Sequence, residues 1–237
     1  MQSKHARLDR FISKQVGINR RDVRLLLAQK RVLVNGELAT DVNQVVGEFS
    51  LIVFDNQVLQ AKKPCYVMMH KPPGVVSATK DDQHRTVVDL LDRPDRYHLH
   101  IVGRLDFNSS GLILLTNDGR WSRQLTTPEN NIAKLYRVTL EKPITVEYIQ
   151  AFSKGMYFPF EGITTRPAKL NIISDHVAEV SLVEGRYHQI KRMFGRFNNP
   201  VLTLHRISIG NLLLDPSLLS GQSRELTERE LNHIGLT

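Results

Sequence analysis

The chain has 237 residues, enough for one large domain or for a small domain followed by a medium one. Apolar residues make up 41% and charged residues 24%, an ordinary soluble globular mix. No apolar run approaches the ~18 residues of a membrane span and no apolar leader opens the sequence, so a cytoplasmic protein is expected. The formal net charge of +8 is concentrated in residues 1–31, where nine Lys or Arg (Lys4, Arg7, Arg10, Lys14, Arg20, Arg21, Arg24, Lys30, Arg31) face two acids, while the other 206 residues carry 23 basic and 22 acidic ones. Such a local surplus is the footprint of a phosphate-binding module, and these helices lack the bulky interfacial aromatics of a membrane-surface helix.

Leu8, Phe11, Ile12 and Val16 share one helical face, with Gly17 available to stop the turn. Asn19 is placed to cap a second helix with Asp22 three residues on, and Val23, Leu26 and Leu27 form its apolar stripe. Arg20, Arg21 and Arg24 gather near its start, where a phosphate is favoured. Asn35-Gly36, between Val32-Leu33-Val34 and Leu38, is a hairpin signal, and Leu51 to Phe54 adds a strand. Arg7-Leu8-Asp9, Asn19-Arg20-Arg21 and Val32-Leu33-Val34-Asn35-Gly36 together resemble the S4 RNA-binding domain, with Asn19 where Ser is common and Lys30 where Gly is common. The resemblance implies an RNA-binding surface carrying Arg7, Arg10, Arg20, Arg21 and Arg24.

Ala61-Lys62-Lys63-Pro64 reads as a linker, giving domains at 1–60 and 66–237 joined by 61–65. Tyr66 to Met69 reads as a strand, and the prolines and Gly74 of His70-Lys71-Pro72-Pro73-Gly74 as a structural turn. Thr86 to Leu91 suggests a short helix and His98 to Val102 a strand. From His100 to Gly119 the pattern is strand, loop, strand, with Asp106 in the loop beside Arg104 and Asn108-Ser109-Ser110. Context alone favours Asp106 as a turn cap paired with Arg104, since loop Asp usually bonds nearby backbone.

A helix is expected from Gly119, an alternating strand from Lys134 to Leu140, a helix from Thr145 to Phe152, and paired strands at Ala168–Ile173 and Val177–Val183. Ile190, Met193, Phe194 and Phe197 then share a helical face, leaving His188, Lys191 and Arg192 on another. Crowded cations of this kind favour a nearby anion, either RNA phosphate or the Asp106 carboxylate. Strands at Val201–Leu204 and Ile207–Leu214 close the chain, before a last helix with a Thr227/Glu230 capping box and a Leu226/Leu231 staple.

Gly103-Arg104-Leu105-Asp106 with Ser110-Gly111-Leu112 and Thr116-Asn117-Asp118-Gly119 resembles the catalytic motif of the ribosomal pseudouridine synthases. His70-Lys71-Pro72-Pro73-Gly74, Lys134-Leu135-Tyr136 and Gln189-Ile190-Lys191-Arg192 resemble the family's other motifs, so the likeness spans essentially the whole chain. It implies an α+β protein in which a small S4-type domain precedes a larger domain built on a mixed, mainly antiparallel sheet. It also implies isomerisation of a uridine in rRNA, with Asp106 as the catalytic aspartate and Tyr136 against the base. Lys191 first and Arg192 second would pair with Asp106, Arg104 would fill the vacated space and hold phosphate, and Ile190 would wall the pocket. The S4 attachment and Asp118 to Ser122 followed by Thr126-Thr127-Pro128 point to the small-subunit (16S) type, with the 23S relatives as the alternative.

With one cysteine, no convergent histidines, no P-loop and no dinucleotide fingerprint, neither metal nor cofactor is expected. Two rivals remain. One is a non-catalytic ribosome-associated RNA binder; the other is a glycosidic hydrolase, which needs a second acid, with Asp118 the nearby candidate.

Overall fold

A computed structural model describes residues 5–234; Lys4, one of the nine N-terminal basic residues, lies outside them. The chain divides into two compact units, Met1–Pro64 and Cys65–Thr237. Among the described residues no helix is long and apolar enough to cross a membrane.

In the first unit β1 (Ala6–Arg7) leads into α1 (Leu8–Val16), which buries Leu8 and Ile12 and ends at Gly17, φ +74°, whose N–H donates to the Ser13 carbonyl. The second helix, α2 (Val23–Ala28), begins later than expected. Asn19 does not cap it: Arg20 reaches Asp9, and a turn closed by the Asp22 N–H on the Asn19 carbonyl delays the first helical residue. Lys30 sits at φ +58°, the left-handed conformation for which glycine is the easier choice.

β2 (Val32–Val34) and β3 (Glu37–Leu38) form the expected hairpin around Asn35-Gly36, both at positive φ as a type I′ turn requires. β4 (Val45–Val46) pairs with β1, while β5 (Ile52–Phe54) and β6 (Gln57–Gln60) complete a sheet of order β3-β2-β5-β6. Val23, Leu27, Val32 and Ile52 close the core over α1.

The second unit is built on one nine-stranded sheet. Its elements are β7 (Tyr66–Lys71), β8 (His100–Val102), β9 (Ser110–Thr116), α3 (Gly119–Thr126), β10 (Lys134–Leu140), α4 (Val146–Lys154), β11 (Tyr157–Phe158), β12 (Ile163–Thr164), β13 (Lys169–Ser174), β14 (Val177–Leu182), α5 (Gln189–Gly195), β15 (Val201–Ile209), β16 (Leu212–Leu213), β17 (Ser223–Glu225) and α6 (Glu228–His233). The sheet order is β13-β14-β10-β15-β9-β7-β17, with β16 beside β15 and β8 beside β9; β11 and β12 pair only with each other. Only the β15–β9 contact is parallel.

β9 carries an unbroken apolar run because both faces of the sheet are covered. Ile113 and Leu115 join one core with Val138, Phe152 and Phe194; Leu112 and Leu114 join another with Met68, Trp121 and Ile209.

Two further expectations are corrected. Thr86 to Leu91 is not a helix: the Asp89 carboxylate accepts the Thr86 N–H and hydroxyl, closing hydrogen-bonded turns that compete with helical bonding. The closing strands are one strand, β15, followed by a short return at β16, because His205 and Arg206 both pair with β10 and the strand carries on through a register shift at Ile207. Asp118, the second acid a hydrolase would need, caps α3 by accepting the Arg120 and Trp121 N–H groups and also takes the Tyr66 hydroxyl. The Thr227/Glu230 capping box on α6 is present, with Leu226 and Leu231 packed into the second core.

Candidate active site

The parallel β15–β9 pairing brings the chemistry-bearing loop to Arg206. His205 pairs with Ser110 and Arg206 with Gly111, and Gly111 adopts φ +106°, where an added Cβ would lie 2.3 Å from the Arg206 carbonyl oxygen. Only glycine allows that approach.

Arg206 is 2% exposed. Its Nε donates to the Leu112 carbonyl at 2.7 Å, Nη2 to the Gly103 carbonyl at 2.7 Å, and Nη1 lies 3.4 Å from the Tyr136 hydroxyl. One buried guanidinium therefore ties the start of the loop, strand β9 and Tyr136 together.

The rest of loop 103–109 is held by backbone contacts. Fully buried Lys71 donates through Nζ to the carbonyls of Pro72 (2.9 Å), Ser109 (2.8 Å) and Phe107 (3.2 Å). Burial pushes the Lys71 pKa down to about 8, against an upward pull from the Asp106 charge. The Ser77 hydroxyl donates to the Leu105 carbonyl and accepts the Leu105 N–H, and the Ser109 N–H donates to the Asp106 carbonyl. The loop is thereby pre-organised before any ligand arrives.

Asp106 projects from this loop with its side chain 28% exposed. Lys191 Nζ lies 3.2 Å from Oδ2 and His188 Nε2 3.5 Å from Oδ1. Both come from the start of α5, where His188 has φ +48° and precedes the first helical residue, while Ile190, Met193 and Phe194 anchor the helix in the core. The turn before it is organised by Glu184, 5% exposed, which accepts from Gln189 Nε2, Arg186 Nε and the Arg166 N–H. Asp106, His188, Lys191, Ile190 and Tyr136 line one open cleft, together with Arg104 and Ser109. The Ser109 hydroxyl is buried there without a hydrogen-bond partner.

Comparison with known proteins matches this architecture. A family model described as RNA pseudouridylate synthase covers residues 65–195, and an S4 domain model covers residues 6–52. The chain belongs to the RNA pseudouridylate synthase family. It is 48% identical over 226 residues to a "Ribosomal small subunit pseudouridine synthase A" of Pseudomonas aeruginosa, covering 95% of this chain and 98% of that one. Against the protein of the same name from Escherichia coli K12, identity is 39% at the same coverages. A solved pseudouridylate synthase superposes with a TM-score of 0.70 at 38% identity, covering 96% of this chain and 99% of the other.

The synthase unit brings Asp106, Tyr136, Lys191, Ile190 and Arg104 to one cleft, with Arg104 exposed at its mouth. Arg192 is elsewhere: its guanidinium pairs with Glu161 through two hydrogen bonds and lies 3.8 Å from the Phe158 ring centroid. The i, i+1 step along α5 turns it away from Lys191, and a partner 31 residues upstream takes its charge. Arg104 makes no ion pair with Asp106 among the described residues.

Lys71 and Arg206 were not assigned from sequence, whereas His188 was grouped with Lys191 as a neighbour of an anion. The usable signal was for Arg206: it falls in period with Leu204 and Ser208 on the buried face of β15, so a cation there needed partners.

In the S4 unit, Arg7 and Arg20 both pair with Asp9, at 2.9 and 2.8 Å. Arg10, Arg21 and Arg24 are exposed and make no ion pair among the described residues.

Proposed function

We propose that this chain isomerises a uridine of small-subunit (16S) rRNA to pseudouridine in the cytoplasm, with Asp106 as the reacting carboxylate. The relatives' names support the RNA. The observation that carries the reading is the position of Asp106 on a pinned loop, facing an open cleft, with Lys191 at 3.2 Å.

The reaction breaks the C1′–N1 bond, turns the detached uracil, joins C1′ to C5 and releases the C5 proton. Asp106 either adds to C1′ or removes the C2′ proton; both routes use the ionised carboxylate, beside which Lys191 Nζ lies at 3.2 Å and His188 Nε2 at 3.5 Å. Reaching C1′ within folded RNA requires extruding the nucleotide, at about a few kcal/mol in lost stacking. Tyr136 and Ile190 then confine the base, and Arg104 occupies the vacated space and meets neighbouring phosphate. Arg10, Arg21 and Arg24 supply phosphate contacts from the S4 unit, with Arg7 and Arg20 beside them.

The test is tritium release from 16S rRNA labelled at uridine C5. Wild type is expected to release tritium and form pseudouridine, and Asp106→Ala to bind RNA without release. Equal release by the two proteins would remove Asp106 from the mechanism, and free uracil in place of pseudouridine would indicate hydrolysis.

A further inference from the structure

Tyr187 lies one layer outside the cleft. It is 75% exposed, and its ring stacks on His188 with centroids 3.9 Å apart and an interplanar angle of 21°. The His188 ring in turn reaches Asp106 through Nε2 at 3.5 Å. Tyr187, His188 and Asp106 therefore form a short column, with an aromatic ring at the outer end and the proposed reacting carboxylate at the inner end.

The surroundings suit nucleic acid. Arg104 is exposed at the mouth of the same cleft, and Arg186, next in sequence to Tyr187, also lines it. The column is anchored from below: the Glu184 network fixes the turn that carries both rings, and His188 holds a left-handed backbone conformation. A tyrosine this exposed on a fixed turn offers a flat platform at little cost in conformational entropy.

An extruded uridine leaves the two bases that flanked it without a stacking neighbour. Single-stranded bases of this kind are taken up on aromatic side chains whatever their sequence.

On the reading that this cleft isomerises an RNA uridine, we propose that Tyr187 is a binding platform for the base adjacent to the extruded uridine, stacking it on the Tyr187–His188 pair. Substrate binding would then bear on the imidazole that contacts Asp106. Tyr187 touches no reacting atom; it acts as a positioning residue through the flanking base and His188.

The experiment uses the full chain and an RNA containing the mapped target uridine, with 2-aminopurine placed in turn immediately 5′ and 3′ of it. Wild type is expected to quench the fluorophore at one of these positions through stacking. Tyr187→Ala should lose that quenching and raise KM for tritium release about tenfold to one hundredfold, with kcat changed less. Tyr187→Phe and Tyr187→Trp should restore both, since the ring and not the hydroxyl carries the contact. Unchanged KM and quenching in Tyr187→Ala, with wild type active, would overturn the platform while leaving the isomerase reading intact. A wild type that releases no tritium would overturn the isomerase reading itself. Loss in Tyr187→Ala that neither aromatic variant restores would mark Tyr187 as structural and also overturn the proposal.

Discussion

Arg7-Leu8-Asp9 and Arg104-Leu105-Asp106 spell the same tripeptide, and in both the leucine is buried, at 0% and 6% exposure. In the S4 unit the arginine folds back on its own aspartate. Asp9 accepts from Arg7 and Arg20 and from the Arg10 N–H. Burial alone would raise its pKa, but these hydrogen bonds outweigh it and hold the carboxyl below the usual carboxylate range. In the synthase unit Arg104 stays in solvent, and Asp106 meets Lys191 and the His188 ring more than eighty residues away, with part of its surface left open to the cleft. A saturated carboxylate is an anchor; one with partners on one side and space on the other can react. Three residues of sequence do not separate the two cases.

After Asp106 itself, the largest effect on this contrast is expected at Lys191. Lys191→Met should lower the single-turnover rate of tritium release by about a hundredfold with RNA affinity little changed, since it removes the cation held 3.2 Å from the reacting carboxylate. Retention of the wild-type rate would mean that His188 alone suffices.

Lys71 provides a pH test of the pinned loop. Its pKa of about 8 lies below the ordinary lysine value of 10.5, so the cost of burying its charge is full below pH 8 and fades as pH rises toward 10.5. Stability from this group therefore increases with pH, while three carbonyls are left to share fewer donors once the ammonium deprotonates. Single-turnover rates should fall as pH rises through about 8 with no matching loss of melting temperature from this group, and Lys71→Met should be slow and flat across the same range. A wild-type rate level from pH 7 to 9.5 would dissociate the loop from the Lys71 charge.

Asp9 should behave as an anchor. Asp9→Ala is expected to cost about 1 kcal/mol of local stability, seen as faster amide exchange along Leu8–Val16, while chemistry at saturating RNA is kept. Because its folded pKa is lowered, its stabilisation is present above about pH 4 and is lost as pH falls through the lowered value. Smallest of all, Arg192→Ala should change the rate only a few-fold, because its charge is spent on Glu161. A hundredfold loss there would restore it as a partner of Asp106.

Periodicity and turn chemistry made much of the fold legible. β10 was read at both ends, and Asn35-Gly36 located its hairpin, because those signals are local. Lys71 was missed because its burial depends on the carbonyls of a loop more than thirty residues later, and Arg206 because nothing local shows that β15 lies parallel to β9. Arg192 was assigned to Asp106, second after Lys191, by the family resemblance and is drawn away by Glu161, a partner brought there by the fold. The expected helix at Thr86 to Leu91 failed for a nearer reason: the Asp89 carboxylate offered Thr86 a turn.

The most direct measurement sets the two aspartates side by side. Asp106→Asn and Asp9→Asn, each with nearly unchanged side-chain volume, are compared for tritium release from C5-labelled 16S rRNA under single-turnover conditions with saturating enzyme. The account predicts a loss of roughly a thousandfold or more for Asp106→Asn and a rate within a few-fold of wild type for Asp9→Asn. Release by Asp106→Asn at the wild-type rate would contradict it.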